Sequence, residues 1–231
     1  MPAAPARRQP DSPAVAWFRN PSHLPLVHEV QRQVLPELTR VFGHSGLYLR
    51  PSDAVPPSLS GNMLAEVVSL HRHEDRFAGD LACRDTALPI AGGSLALAYA
   101  LFVCETSPDP AALVAELARV LKPDGVAMLV TLNPLAPLRL RWAFRGLAPP
   151  GRHRLAALLA AAGLDLERVR HVGPHWAPPS RYDPAPPAGS DGPFAGFRMA
   201  HLLIARKRDP GITPLRVGAP AVALRPGISP G

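Results

Sequence analysis

The order of elements between Ser94 and Leu132 constrains this chain more than any other feature. Ser94 to Val103 reads as one continuous apolar strand, the pattern of a parallel strand covered on both faces. Asp109 can then cap a helix, and Pro110 suits its first position. Leu113, Leu117, Val120 and Leu121 follow at helical spacing and form one stripe that must be buried. Lys122-Pro123-Asp124-Gly125 has proline second and glycine last, as a type I turn prefers, and Val126 to Leu132 is a second apolar strand. A strand, a crossover helix and a strand of this kind predict adjacent parallel strands in an α/β sheet.

The flanks extend the pattern. Ser22 to Phe42 carries a helical stripe interrupted by Pro36, and Gly43 is expected to stop it. Gly46 to Leu49, Glu66 to Leu70 and Phe77 to Cys83 read as short strands, with Pro51 to Gly61 as a loop. Residues 153–162 predict a second helix, stopped by Gly163, and Leu166–Val172 and Phe197–Arg206 two final strands. The resulting expectation is a three-layer α/β sandwich with a mainly parallel sheet.

Thirty prolines among 231 residues are more than twice the usual share, and they gather near the N-terminus and after Gly173. Residues 1–14 and 209–231 are therefore expected to be disordered, leaving 15–208 as one domain. The net charge of +7 is largely a property of the end of the chain, where five basic residues from Arg206 to Arg225 face only Asp209. Without aromatic side chains interleaved, this reads as a solvated basic tail in preference to a nucleic-acid surface. Cys83 and Cys104 sit in apolar surroundings, which argues for a reducing, cytoplasmic setting. The longest apolar run, Leu95 to Cys104, is about half of a membrane span, so no membrane partner is expected.

The 88–131 region resembles the type 11 group of class I S-adenosylmethionine-dependent methyltransferases. The resemblance rests on Leu88-Pro89-Ile90, Gly92-Gly93-Ser94, Asp109-Pro110, Glu116 and Arg119-Val120-Leu121-Lys122-Pro123-Asp124-Gly125, in order and at family spacing. Asn133-Pro134 and the ending Arg206-Lys207-Arg208 resemble more narrowly a proteobacterial subgroup of small, divergent members. The resemblance implies a Rossmann-like class I methyltransferase fold with an antiparallel last strand, and S-adenosyl-L-methionine as cofactor.

The same resemblance shows what has changed. Where the family has a glycine-rich loop that lets the backbone approach the cofactor, this chain has Arg50-Pro51-Ser52-Asp53-Ala54. Where the family has an acid for the ribose hydroxyls, it has Leu70-His71-Arg72. Asp85 stands where the family places the acid for the adenine amino group. The cofactor candidates implied are Arg50, Ser52, Asp53, Asp85, Thr86, Ala100 and Leu101, and the substrate-side candidates are Glu105 and Asn133. Each has a plainer reading: a polar turn for 50–53, a loop cap for Asp85, a solvated acid for Glu105. His71 with His73 reads as a polar strand end in preference to a metal site, and Cys104 as an inert buried thiol. Trp142, Phe144, His175 and Trp176 could roof a pocket. Two functions stand: methyl transfer to an acceptor the sequence does not name, and a non-catalytic interaction module that kept the fold. RNA binding through the tail is weaker.

Overall fold

A computed structural model describes residues 12–145, 147, 149–176 and 194–208. The expected disorder of 209–231 and of most of the N-terminal segment lies outside these residues. Seven strands form one sheet: β1 (Phe42–Arg50), β2 (Met63–His73), β3 (Arg76–Gly79), β4 (Leu95–Leu101), β5 (Leu121–Leu132), β6 (Leu164–Val172) and β7 (Ala200–Lys207). Their order across the sheet is β3-β2-β1-β4-β5-β7-β6. β1 pairs parallel with β2 and β4, and β4 with β5, whereas β7 runs antiparallel to both of its neighbours. β3 is also reversed, because it returns along β2 through a tight turn at Glu74, whose φ is +54°.

Four helices make the outer layers: α1 (Pro13–Arg19), α2 (Leu24–Leu38), α3 (Pro110–Val120) and α4 (Arg152–Ala161). β4 is buried along its whole length, and its alternate side chains enter two separate cores. Leu97, Tyr99 and Leu101 pack with α1 and α2, together with Tyr48 of β1 and Met128 and Val130 of β5. Ala98 and Ala100 point the other way, into the core of Leu113, Leu117, Leu155 and Leu159 from α3 and α4. Small residues on that face let α3 lie close to the sheet.

The β4–α3–β5 unit matches the sequence expectation. Asp109 caps α3 by accepting from the backbone N–H groups of Ala111 and Ala112, and Leu117 and Leu121 are fully buried. The turn after α3 differs from a type I turn: Asp124 takes the left-handed conformation at φ +60°, which Asp tolerates better than most residues. Gly125 is required by close packing, since a Cβ there would sit 2.8 Å from the Lys122 carbonyl and 3.0 Å from that of Leu95.

Other boundaries shift. Residues 13 and 14 are helical, because Ser12 caps α1 and Pro13 starts it. Pro36 falls in the last turn of α2 and does not split it. Gly43 does not end a helix; β1 already starts at Phe42, and a Cβ at 43 would meet Ala96 Cβ at 2.3 Å. The crossover from β1 to β2, residues 51–62, contains no helix and is held by Val55 and Leu59 against α2.

Leu117→Ala should destabilise the protein by about 2–5 kcal/mol, the range for a fully buried leucine. Leu140→Ala, at an exposed position, should stay within about 0.5 kcal/mol, both read from urea unfolding.

Candidate functional site at the carboxyl edge of the sheet

Open α/β sheets bind ligands beyond the carboxyl ends of their strands, at the point where strand order reverses. Here that point lies between β1 and β4. The ends of β1 (Arg50), β4 (Leu101) and β5 (Leu132) bring Arg50, Ser52, Asp53, Ala100, Leu101, Glu105 and Asn133 to one edge, and the 80–94 loop supplies Asp85 and Thr86.

The donor side of this edge is built from internal contacts. Arg50 is buried, donating from Nε to Ser69 Oγ at 3.1 Å and from its guanidinium to the Val55 carbonyl. Burial pushes its pKa below the usual arginine value. The Ser52 hydroxyl donates to the Phe18 carbonyl of α1 at 3.1 Å. Asp53 is exposed and accepts from Arg19 at 2.8 Å. No residue from 42 to 60 has a positive φ, so the loop cannot present its backbone as a glycine-rich loop does.

Asp85 is buried in a bidentate pair with Arg72, at 2.5 and 2.9 Å, and also accepts from the Ser107 hydroxyl. Arg72 is itself fully buried, with its guanidinium 4.0 Å from the centre of the Phe77 ring. A cation therefore occupies the end of β2, where the resemblance calls for an acid, and it pairs with the carboxylate that the resemblance would place against adenine. Thr86 is exposed, and Ala100 and Leu101 are core residues of β4.

Two features of this edge were missed from sequence. The first is α1, which lies over the end of β4 with Phe18 stacked on Phe102 at 5.3 Å. Phe102 takes φ +51°, an unfavourable conformation for a bulky residue, immediately after β4. Ser12-Pro13 before an apolar run was the signal that could have revealed α1. The second is Arg72 as a buried partner, for which a lone arginine beside two histidines gave no sign.

The acceptor side is different. Glu105 is buried just beyond β4 and accepts through one oxygen from Thr131 Oγ1 at 2.7 Å and from the Leu132 N–H at 2.5 Å. Its other oxygen is buried with no partner among the described residues. Burial raises its pKa to about 7, and the two donors only partly offset this. Asn133 is committed: its amide donates to the Gly196 and Arg198 carbonyls at 2.8 Å each, and its oxygen accepts from Leu135 N–H. It therefore ties the strand-five end to the segment leading into β7. Trp142 is core, whereas Phe144 and Trp176 are exposed.

Residues 48–129, from β1 through most of β5, match the family model of a methyltransferase domain. Over that stretch the chain is similar to the type 11 methyltransferase domain. Over 68 residues it is 40% identical to malonyl-[acyl-carrier protein] O-methyltransferase of Laribacter hongkongensis, a stretch covering 29% of this chain and 23% of that enzyme. The chain thus spans less than a quarter of the length of this curated relative. An S-adenosylmethionine-dependent methyltransferase of Thermotoga maritima has the same fold, at a TM-score of 0.54 and 14% identity over 84% of this chain and 94% of that one. A chain from the complex of the Trm112 methyltransferase activator of Haloferax volcanii with its partner gives 0.51 and 13%, over 84% and 95%. These likenesses show the class I methyltransferase fold.

The domain's residues do not fit S-adenosylmethionine in the family's manner. The positions that would hold its methionine, ribose and adenine parts are a glycine-free loop, a buried arginine and a carboxylate already paired.

Glu105 can be tested without a ligand. A carboxyl group raised from 4.5 to about 7 stabilises the fold below its unfolded pKa, and that contribution is lost as pH rises through about 7. Between pH 4.5 and 8 the loss is on the order of 3 kcal/mol. Glu105→Gln should remove this fall, so the wild-type minus variant difference in unfolding free energy should change by that amount between the two pH values.

Proposed function

We propose that this chain works as a methyltransferase, with S-adenosylmethionine as the donor its family implies, and that it would hold the donor without the family's glycine loop and ribose acid. The match of residues 48–129 to a methyltransferase domain carries this reading. The sheet order, with its antiparallel β7, supports it.

The chemistry such an edge supplies is mostly positioning of the acceptor in line with the donated methyl group. Glu105 is the residue able to move a proton there. With a pKa of about 7 and one unpartnered oxygen, it can hold the proton of an acceptor hydroxyl or amine at neutral pH, or take it. The cofactor contributes the activated methyl group when bound, and no contact to it is assigned to the residues at 50–54, 72 or 85. Two unpaired cysteines, Cys83 and Cys104, favour a reducing, cytoplasmic setting. No helix of the described residues is long and apolar enough to cross a membrane.

A second reading is favoured by one observation, the buried Arg72–Asp85 pair. A chain that closes its adenine subsite with its own side chains could serve as an interaction module without chemistry.

Calorimetric titration of the full chain with S-adenosylmethionine separates the two. A glycine loop and a ribose acid each supply hydrogen bonds to charged or polar groups of the donor, worth about 1.5–3 kcal/mol apiece. Their absence weakens a micromolar site by roughly two to four powers of ten. The methyltransferase reading therefore expects measurable heat with a dissociation constant in the high micromolar range or weaker. Low-micromolar binding would show that a different set of residues cradles the donor. No heat at millimolar cofactor, in folded protein, would leave the non-catalytic module.

A further inference from the structure

Three connections leave the sheet at one corner. β5 ends at Leu132, β6 ends at Val172 and β7 begins at Ala200, and both strand ends are in register with Ala200. The residues beyond them therefore gather at the same place: 133–145, 173–176 and 194–199. Within them Leu135, Leu140, Phe144, Trp176, Phe194 and Phe197 are exposed, Phe144 to 88%. Six of the eleven exposed large apolar side chains among the described residues thus crowd one corner. Single exposed apolar residues mean little, but a cluster of this kind marks an interaction surface.

This surface is mounted rigidly. A 3₁₀ turn over Pro137–Arg141 is pinned by its neighbours, with Leu138 and Trp142 buried and Trp17 Nε1 donating to the Arg141 carbonyl at 3.2 Å. Asn133 holds the 196–198 backbone, and Arg198 donates to the Gly173 carbonyl at 2.9 Å. Between them Pro137, His175, Trp176, Phe194 and Phe197 line an open cavity of about 370 Å³.

Among the described residues its charge has one sign. The sequence contains no acidic residue between Asp124 and Asp165. Arg139, Arg141 and Arg145 are exposed and form no ion pair with a described residue.

We infer that this corner is a docking surface for an anionic phospholipid bilayer. Arginines interleaved with exposed Leu, Phe and Trp suit the lipid interface, where apolar side chains enter the acyl boundary and the cations meet anionic headgroups. Leu135 and Leu140 decide against a nucleic acid, since leucine offers no ring for a base to stack on. Peripheral attachment needs no spanning segment, so the short apolar runs of this sequence do not oppose it. The cavity then accepts part of an acyl chain, and the carboxyl edge of the sheet faces the membrane.

Flotation of the full chain with vesicles tests this. The protein should float with vesicles containing a third of phosphatidylglycerol in phosphatidylcholine, and not with phosphatidylcholine alone. Added salt should weaken binding. Replacing Arg139, Arg141 and Arg145 together by Gln should weaken it at least about tenfold, given roughly fivefold per cation near such a surface. Leu140→Ser with Phe144→Ser should weaken it comparably. All five positions are exposed, so melting temperatures should be unchanged. Absence of flotation with anionic vesicles at low salt overturns the inference. So does flotation retained in both variants, which would move the contact elsewhere on the chain. Binding of polyuridylate or polyglutamate in place of vesicles overturns it in favour of another partner.

Discussion

The parallel pairing of β1, β4 and β5, buried on both faces, is the constraint on which the rest of this molecule depends. β4 is the hinge of the arrangement, because Leu97, Tyr99 and Leu101 feed one core and Ala98 and Ala100 the other. Large side chains go toward α1 and α2, and alanines toward α3. That asymmetry lets α3 lie close to the sheet, and it fixes where the strand ends point. Arg50, Ser52, Asp53, Glu105 and Asn133 hang from the carboxyl ends of these three strands.

The β4–α3–β5 unit was legible in the sequence because each local signal agreed with the next. Asp109 caps, Pro110 starts, the leucines face inward and Gly125 allows the close return. The same consistency made the type 11 resemblance visible, and the family match confirms it. Outside this unit the signals were weaker. β1 and β2 are longer than their apolar cores suggest, since polar residues such as His44 and His73 lie on their exposed ends. The reversal of β3 depends on a left-handed Glu74, which no residue preference announces.

The candidate site was legible by halves. Glu105 and Asn133 were correctly placed at one edge, because strand ends follow from strand assignment. Their partners were not, since Thr131 and Gly196 reach them only through tertiary structure. The loss of the glycine loop was readable from Arg50 to Ala54 directly. What replaced it was not readable: a buried cation at 72 whose partner, Asp85, lies 13 residues away. Breaking such a pair by removing one partner typically costs about 3–5 kcal/mol, which makes it a structural commitment of the fold. The 50–54 and 72–85 side of the edge has thus become part of the core, while Glu105 retains a carboxyl oxygen unsatisfied among the described residues.

The central claim is that the Arg72–Asp85 pair stays closed even when the donor is present. The Arg72 Nε–H is buried without an acceptor among the described residues, in the same guanidinium that holds Asp85, so its NMR resonance is sensitive to this pair. With isotope-labelled protein and saturating S-adenosylhomocysteine, the account predicts that this resonance keeps its position and its slow hydrogen exchange. Any shifts should fall around residues 101–107 and 131–133. Rapid exchange or a large shift of the Arg72 signal on adding the ligand would show that the pair opens to release Asp85, and would contradict the account.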